Sequence, residues 1–336
     1  MKLLIVTQKV DAIDPILGFF HRWLQEFAGE CKHLTVIGQL VGKHDLPKNV
    51  RVLSLGKEKG RGKWGQVLRY WGLLWKHRRE YDAVLVHMVP IWVVFGIPLT
   101  VLLRKPVYLW YEARGKRWPL KVALRIVRKV FSASLHGMPL PSQKSVITGH
   151  GIDTELFRPG GEREEGLLVS VGRITKAKRL DVLLRCLKEL PRHFRLSIVG
   201  VPITMEDRSY LSVFNEKVRA GGFKARVTIH PLPQEHLVPL LQRAQIFLHA
   251  SETSLDKVVL EAMSCGCMVL SCSPAARDVL PPECFCTPEK MASCLKSLLA
   301  LPPEERASLA KELRRRITTD HSVTALIECL VSEMTR

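Results

Sequence analysis

Short apolar runs alternate with amphipathic stretches along the whole chain. The runs predict buried strands, because parallel strands covered on both faces are almost continuously apolar, while the amphipathic stretches have the period of a helix. In the first half, the predicted strands are Lys2–Thr7, Leu34–Gly38, Val50–Leu55, Ala83–Val86, Val107–Tyr111 and Ser145–Thr148, and the predicted helices are Phe19–Phe27, Val67–Arg79 and Leu120–Phe131. Such alternation is typical of a parallel sheet with helices on both faces.

The second half restarts this pattern after Arg158–Glu165, a charged stretch rich in Pro and Gly that predicts a linker. Its predicted strands are Leu167–Val171, Phe194–Val199, Val227–Ile229, Ile246–His249 and Met268–Ser271, and its predicted helices are Leu180–Leu190, Tyr210–Ala220, Leu237–Arg243 and Lys257–Ser264. The restart predicts a second parallel sheet. Since ligands of such sheets bind beyond the carboxyl ends of the strands, binding residues are expected in the loops that follow strands.

The segment Ala83–Leu103 has no formally charged residue and is about long enough to span a bilayer. Pro90 and Pro98 argue against a continuous membrane helix. A strand over Ala83–His87, a turn and a buried helix up to Arg104 explain the same residues, and this second interpretation is the one favoured.

Composition adds size and charge to this picture. A length of 336 residues predicts two domains. The 51 Lys and Arg exceed the 32 Asp and Glu, for a formal net charge of +19, and basic residues crowd Lys57–Arg79 and Arg104–Lys129. An anionic partner is therefore expected, whether nucleic acid, an anionic membrane leaflet or a phosphorylated small molecule. The nine scattered cysteines lack metal-ligand spacing, so a reducing, cytoplasmic compartment without a metal site is the simplest interpretation.

Two common nucleotide-binding signatures are missing from the sequence. No Gly-x-Gly-x-x-Gly follows the first predicted strand, which argues against a dehydrogenase. No Gly-x4-Gly-Lys-Ser/Thr occurs either, which argues against a P-loop kinase or ATPase.

A glycine turn followed by cations lies directly after the predicted strand Leu167–Val171. Gly172 permits a tight turn. Arg173 and Lys178 can converge on a diphosphate, the arginine as a bidentate fork and the lysine as a point charge. A solvated basic start of a helix is the alternative, and the residues alone leave both interpretations open.

A second constellation surrounds the predicted helix Lys257–Ser264, with Ser254 or Asp256 as its cap. The start of a helix suits a phosphate group. Glu261 has apolar neighbours on both sides, and an acid in such a setting is usually bonded to a specific partner, for which a ribose diol is suitable. The alternative partner is a neighbouring cation on the domain surface.

These two stretches resemble the second domain of the retaining GT-B glycosyltransferases of family 4, the glycosyl transferases group 1. The resemblance is carried by Val-Gly-Arg with a following lysine at 171–178 and by Leu-Glu-Ala-Met-x-x-Gly at 260–266. Gly149–Asp153, with Phe157 and Pro159, resembles the family's junction between domains, and Asp320–Leu330 resembles its closing helix.

The resemblance implies an α/β protein with the GT-B fold, in which two Rossmann-like parallel-sheet domains face each other across a cleft. Residues 1–157 would form an acceptor-binding domain, residues 158–318 a nucleotide-sugar-binding domain, and residues 319–336 a helix that crosses back to the first domain.

The resemblance also implies roles for individual residues. Arg173 and Lys178 would hold the donor diphosphate and Glu261 the ribose hydroxyls, and these three are the expected catalytic residues. The expected donor-binding residues are Gly172, Gly200, Leu232, Glu252, Thr253, Ser254, Leu255, Asp256, Lys257 and Val258.

Two departures from the family pattern change the details. Thr253 stands where the first glutamate of the Glu-x7-Glu element is expected, so either Glu252 or the pair Asp256 and Lys257 would contact the donor sugar, and involvement of the Ser254–Lys257 loop is favoured. No histidine lies at 109–115, where family members often have one. The expected acceptor-binding residues are instead Gly18, His21, Arg22, His87 and Glu112, with a structural role as the alternative for His87 and Glu112.

The expected activity is transfer of a hexosyl or other glycosyl group from a nucleotide diphosphate sugar to an acceptor, with retention of configuration and without a metal or other cofactor. The basic first domain favours a lipid-linked or other glycan acceptor in polysaccharide biosynthesis and peripheral contact with the inner, anionic face of the membrane. A GT-B epimerase, a phosphorylase and a basic nucleic-acid-binding protein are the alternatives, although no nucleic-acid-binding module is recognisable and no nucleic-acid partner is expected.

Overall fold

The chain divides into two compact units, each with its own sheet and core. The computed structural model describes residues 1–14, 17–113, 118–232, 234–251 and 256–336. Unit 1 comprises Met1–Gly151 and Ser322–Arg336, and unit 2 comprises Ile152–His321. The boundaries therefore fall after Gly151 and His321, whereas the sequence analysis placed them after residues 157 and 318.

Unit 1 contains a parallel sheet of seven strands in the order β3-β2-β1-β4-β5-β6-β7. Its strands are β1 (Lys2–Val10), β2 (His33–Val41), β3 (Val50–Ser54), β4 (Ala83–His87), β5 (Val107–Trp110), β6 (Lys129–Ser132) and β7 (Ser145–Ile147). Both neighbours of β1 are parallel to it, since Leu3 aligns with Leu34 on β2 and with Ala83 on β4.

Helices cover both faces of this sheet, because successive side chains of a strand point to opposite faces. Leu3 and Ile5 face one core with α1 and α11, whereas Leu4 and Val6 face another with α2, α3 and α4. These helices are α1 (Phe19–Glu30), α2 (Lys63–Lys76), α3 (Ile91–Leu102), α4 (Trp118–Ile126) and α11 (Val323–Thr335).

Unit 2 contains a second parallel sheet, of five strands in the order β10-β9-β8-β11-β12. Its strands are β8 (Leu167–Val171), β9 (Arg195–Val199), β10 (Val227–His230), β11 (Ile246–His249) and β12 (Met268–Ser271). Its helices are α5 (Leu180–Lys188), α6 (Met205–Ala220), α7 (Gln234–Arg243), α8 (Lys257–Ser264), α9 (Met291–Ala300) and α10 (Pro303–Arg316). One continuous apolar core joins this sheet to its helices.

One predicted element of unit 1 is wrong at its end. The helix predicted over Leu120–Phe131 stops at Ile126, and Lys129–Ser132 is instead strand β6, which pairs with β5 and β7. Val130 and Phe131 are fully buried in the sheet. Their apolar character continued the helical pattern in the sequence, and a short apolar run is ambiguous between the two structures.

The uncharged segment Ala83–Leu103 forms strand β4 and the short helix α3. Over the residues that the structure describes, no helix combines the length and the apolar character needed to cross a bilayer.

Candidate active site

The carboxyl ends of β8 and β11 form a switch point in the sheet of unit 2. From β8 the chain continues to β9 on one side, whereas β11 pairs with β8 on the other side. The loops after β8 and β11 therefore run in opposite directions and leave a crevice between them, which is where open parallel sheets bind ligands. Gly172 follows β8, and the loop after β11 leads to the start of α8.

Two glycines allow the loops after β8 and β9 to approach each other closely. Gly172 has a φ of 149°, which side chains rarely permit, and a Cβ atom on Gly200 would lie 1.9 Å from the carbonyl oxygen of Gly172. The amide of Gly172 also donates to the carbonyl of Val199 at 2.9 Å. Both predicted glycines thus lie at the carboxyl edge of the sheet, and packing alone accounts for a glycine at position 200.

Arg173 is held by a carboxylate that the sequence analysis did not single out. Its Nε and Nη2 donate to Oδ2 of Asp207 at 2.9 and 2.7 Å. The same oxygen accepts the amides of Thr204 and Ile203, and Thr204 and Asp207 form a capping box at the start of α6. The Thr204 amide and the Arg173 guanidinium together hold the pKa of Asp207 well below its usual range.

The signal for this pair was present in the sequence. Thr204 with an acid three residues later is the pattern of a capping box. That pattern predicts a helix start but not the arginine that the acid also binds. Because 44% of the Arg173 side chain remains exposed, a ligand can still reach the guanidinium.

Lys178 belongs to a partly buried chain of polar side chains that reaches the start of α8. Its Nζ bonds to Oδ2 of Asp256, the N-cap residue of α8. The same oxygen accepts from Nε2 of His249 at 2.6 Å, and Nδ1 of His249 lies 2.9 Å from the hydroxyl of Ser271. Lys178 also lies over Gly172, since a Cβ on that glycine would be 3.1 Å from its Cε.

The opposite charges of Lys178 and Asp256 compensate one another. Although burial raises the pKa of Asp256, the hydrogen bond from His249 and the charge of Lys178 outweigh it and hold this pKa well below its usual range. Asp256 is therefore an anion at neutral pH. His249 was absent from the predicted site, because a lone histidine at a strand end carries no distinctive spacing.

Lys257 and Glu261 lie one turn apart on α8, where residues i and i+4 are neighbours. Burial lowers the pKa of Lys257, and the charges of Glu261 and Asp153 raise it; burial has the larger effect, and the resulting pKa is about 8. Burial raises the pKa of Glu261, and the charge of Lys257 lowers it. The neighbouring cation that the sequence analysis weighed as the partner of Glu261 is thus present in this structure.

Two of the other predicted donor-binding residues have partly buried side chains. Val258 packs against the core of unit 2, and Leu232 follows the end of β10. Glu252, Thr253, Ser254 and Leu255 lie outside the described residues.

The structure therefore places two of the three predicted catalytic residues on one loop at the carboxyl edge of the sheet, and the third one turn into α8. Arg173 and Lys178 lie on the loop after β8, and each is bonded to a different acid. Glu261 lies on α8, whose N-cap Asp256 binds Lys178.

In unit 1, His87 lies in the core rather than at an open surface. It is 2% exposed, stacks on Phe20 with 4.0 Å between ring centroids, and has Trp23 and Trp110 against its other sides. Its Nδ1 lies 3.1 Å from the hydroxyl of Thr7 on β1.

Glu112 organises the loop after β6. One carboxylate oxygen accepts the hydroxyl of Ser132 at 2.8 Å and the amide of Ala133 at 3.0 Å. Burial raises the pKa of Glu112, and these hydrogen bonds oppose the rise. These contacts are those of a structural residue, the alternative that the sequence analysis kept open.

The remaining predicted acceptor residues lie at the start of α1. Gly18 has no room for a side chain, because a Cβ would lie 2.5 Å from the carbonyl oxygen of Asp14. His21 accepts the amide of Asp45 at 3.1 Å, and burial lowers its pKa. Arg22 pairs with Glu26 one turn further along the helix.

A separate cavity of about 610 Å³ in unit 2 is lined by residues of α9 and α10, among them Ser297, Leu298 and Glu312. None of the predicted donor residues lines it. The polar groups at the carboxyl ends of β8 and β11 therefore identify the candidate site better than cavity size does.

Sequence comparison connects unit 2 with a known family. The family model of glycosyl transferases group 1 matches residues 165–318. The D-inositol 3-phosphate glycosyltransferase of Mycobacterium avium (strain 104) is 27% identical over 201 residues, which is 53% of this chain and 46% of that protein. The protein of the same name from Mycobacterium tuberculosis (strain CDC 1551 / Oshkosh) is 33% identical over 154 residues, covering 41% of this chain and 30% of the relative. The chain thus matches less than half of the length of these curated relatives.

Structure comparison extends over both units. One similar structure is the crystal structure of Anabaena HepE in complex with UDP and glucose. The alignment covers 100% of this chain and 99% of HepE, with a TM-score of 0.74 and 15% sequence identity. Another is sucrose-phosphate synthase from Thermosynechococcus elongatus. The alignment covers 99% of this chain and 98% of the synthase, with a TM-score of 0.75 and 15% sequence identity. Two Rossmann-like units with parallel sheets and helices, matching these proteins, confirm the predicted GT-B fold.

Proposed function

We propose that this chain is a glycosyltransferase of family 4 that transfers a glycosyl group, a hexose by preference, from a nucleotide diphosphate sugar to an acceptor with retention of configuration. The observation that carries the proposal is the meeting of Lys178 with the N-cap of α8 at the switch point of unit 2. The family match covers this same part of the chain. The structure of this chain is similar to that of HepE, whose crystal structures contain UDP and UDP-glucose, and this similarity supports a nucleotide sugar as the donor.

The cations of the site would act electrostatically. As the bond to the sugar breaks, negative charge develops on the leaving diphosphate, and preorganised cations stabilise that charge without moving. Arg173 and Lys178 are already oriented by Asp207 and Asp256, and the amide dipoles at the start of α8 favour an anion there. Glu261 would accept hydrogen bonds from the ribose hydroxyls. No metal or other cofactor is needed for this contribution.

Unit 1 would supply the acceptor side of the reaction. Its surplus of basic residues favours a lipid-linked acceptor or glycan precursor of an envelope polysaccharide, presented at the inner face of an anionic membrane. The protein would then be cytoplasmic and peripherally bound, without a nucleic-acid partner.

Calorimetric titration with UDP, GDP and ADP and their sugars tests the donor site. We expect at least one of these ligands to bind and to raise the melting temperature, because a ligand that binds only the folded state stabilises it. Lys178→Ala should weaken this binding by about tenfold or more, or about 1.4 kcal/mol.

Lys176→Ala is the matched control, because Lys176 is an exposed lysine in the same loop. It should leave the affinity within about twofold, well under 1.4 kcal/mol. Absence of binding by every nucleotide, or equal losses in the two variants, would contradict the donor site.

A further inference from the structure

Helix α2 of unit 1 has apolar residues on two faces. Val67, Tyr70 and Leu74 are buried against the sheet. On the outward face, Trp64 is 77% exposed, Leu68 65% and Trp75 47%, and they follow one another at helical spacing. A helix at a protein surface ordinarily exposes its polar side to water, so this outward stripe indicates a partner that is itself apolar.

Basic residues flank the stripe of Trp64, Leu68 and Trp75 along the sequence. Between Lys57 and Arg79 the sequence contains one acid, Glu58, which accepts a hydrogen bond from Ser54. The exposed basic residues of this segment are Lys57, Lys59, Arg61, Lys63, Arg69, Lys76 and Arg79. Trp and Leu flanked by Lys and Arg are the composition of helices that lie in the interface of an anionic bilayer.

A cavity of about 470 Å³ opens beside the amino end of this stripe, between α2 and α3. This volume is within the range of roughly 300–1,000 Å³ that is typical of small-molecule sites. Its walls are mainly apolar, with Val67, Trp92 and Phe95 among them. Its exposed lining residues are Lys57, Lys63 and Trp64, which therefore lie at the mouth.

The cavity is built into the fold rather than opened by a loose helix. Nε1 of Trp71 on α2 donates to the carbonyl of Phe95 on α3 at 2.6 Å. Arg69 donates to the carbonyl of Ser54 at the end of β3 at 2.6 Å. These bonds fix α2 against both neighbours, so that binding need not first order the site.

We infer that this cavity binds one hydrocarbon chain of an anionic membrane lipid, with the lipid phosphate at Lys57 and Lys63 and the stripe of Trp64, Leu68 and Trp75 in the bilayer interface. An apolar cavity with two ammonium groups at its mouth complements a chain that ends in a phosphate. The inference deepens the membrane contact proposed above, on which it rests. Its test uses no nucleotide, so its failure and that of the donor site are distinguishable.

Two ligands distinguish binding in the cavity from binding at the stripe. Dihexanoyl phosphatidic acid, kept below its micelle concentration, probes the cavity by calorimetry, and vesicles of phosphatidylcholine with 30 mol% phosphatidylglycerol probe the whole surface by sedimentation. We expect the short-chain phosphatidic acid to bind with one site per chain. Dihexanoyl phosphatidylcholine and glycerol 3-phosphate should bind at least tenfold more weakly, because each lacks one half of the recognised chemistry.

Helix α2 supplies matched controls for both kinds of residue. Trp64→Ala and Lys63→Glu should weaken binding of the short-chain phosphatidic acid at least fivefold. Trp75→Ala and Lys76→Glu change the same residue types at the other end of α2, outside the cavity, and should leave that binding unchanged. All four variants should weaken vesicle binding.

The inference is overturned if glycerol 3-phosphate binds as tightly as the lipid, or if the variants at both ends of α2 weaken short-chain binding equally. Vesicle binding without any binding of the short-chain lipid also overturns it, since the cavity would then have no part. Circular dichroism spectra of the four variants, which all change exposed side chains, verify that each is folded.

Discussion

At the scale of single residues, the cations of the candidate donor site are each bonded to an acidic side chain. Asp207 binds Arg173, and Asp256 binds both Lys178 and His249. These carboxylates keep the long basic side chains in place, so that less side-chain freedom is lost when a ligand binds. They also carry negative charge, so a diphosphate must gain more from the cations and from the start of α8 than it loses to the two acids.

We expect Lys257 to make ligand binding at the candidate site depend on pH. Burial lowers the pKa of Lys257 to about 8, so that this lysine loses its charge at mildly alkaline pH. A bound diphosphate favours the protonated lysine and raises its pKa, so the affinity should fall as pH rises above about 8. We expect UDP or another bound nucleotide to lose about fivefold or more in affinity between pH 7 and pH 9.

Lys257→Arg tests the origin of this dependence, because arginine stays charged across the range. Its affinity should vary by less than about twofold between the two pH values. An equally steep loss in this variant, measured by calorimetry in buffers of matched ionic strength, would assign the pH dependence to another group.

Gly200 offers a test of packing at the same edge of the sheet. Alanine there would bring Cβ to within 1.9 Å of the Gly172 carbonyl oxygen and force the loops after β8 and β9 apart. We expect Gly200→Ala to lower the free energy of unfolding by roughly 1–3 kcal/mol and to weaken nucleotide binding. Gly72→Ala is the control, because a Cβ atom there meets open space, and this variant should preserve stability in a urea titration. Gly222 is unsuitable as a control, because its φ is positive.

At the scale of elements, α6 shows how a local feature supports a remote one. Thr204 and Asp207 cap this helix, and the carboxylate that completes the cap also orients Arg173 of the preceding β8 loop. The start of α6 is thereby coupled to the position of a candidate catalytic residue. Loss of the cap should therefore affect both stability and ligand binding.

Thr204→Ala removes the side-chain bond to the Asp207 amide. The expected loss is about 1 kcal/mol in the free energy of unfolding, as for other N-caps, with a several-fold loss in nucleotide affinity as Arg173 becomes less ordered. Ser209→Ala alters an exposed hydroxyl in the same helix and should change stability by less than about 0.5 kcal/mol. Equal effects of the two substitutions in urea titrations would argue against the cap.

The elements also show what sequence patterns can and cannot predict. The strands Leu167–Val171, Ile246–His249 and Met268–Ser271 were predicted with their observed bounds, because buried parallel strands are short and mainly apolar. Strand β6 was missed, because Val130 and Phe131 continue an apolar pattern whose period does not change. The acids that hold Arg173 and Lys178 lie 34 and 78 residues away along the chain, and no local spacing reveals such pairs.

At the scale of the whole molecule, the two sheets divide the proposed work. Family similarity and the polar chain at β8 and β11 both belong to unit 2, whereas the exposed tryptophans and basic segment of α2 belong to unit 1. The GT-B fold itself followed from alternation of strands and helices in both halves, together with a few motifs. Of the candidate site, the sequence predicted that a glycine, cations and a helix start follow strand ends, whereas the buried partners of these residues depend on tertiary packing.

Hydrogen exchange measured by mass spectrometry tests this division. A nucleotide diphosphate should give its largest protection in peptides that contain 172–178, 200–207 and 256–264. Short-chain phosphatidic acid should protect peptides within 57–76 and 89–95 instead. Protection of the same peptides by both ligands would contradict separate sites in the two units.

The last helix of the chain has a consequence for the order of events during synthesis. Val323, Leu326 and Leu330 of α11 complete a core of unit 1, and the hydroxyl of Tyr108 donates to the carbonyl of Met334. At roughly 5–20 residues per second, a ribosome needs about 10–30 s to make the whole of unit 2 before α11 emerges. Throughout that interval the groove that receives α11, bordered by Trp23 and Phe27, stays open. A nascent chain of this protein therefore exposes apolar surface of unit 1 while unit 2 is being made, and unit 2 can fold first.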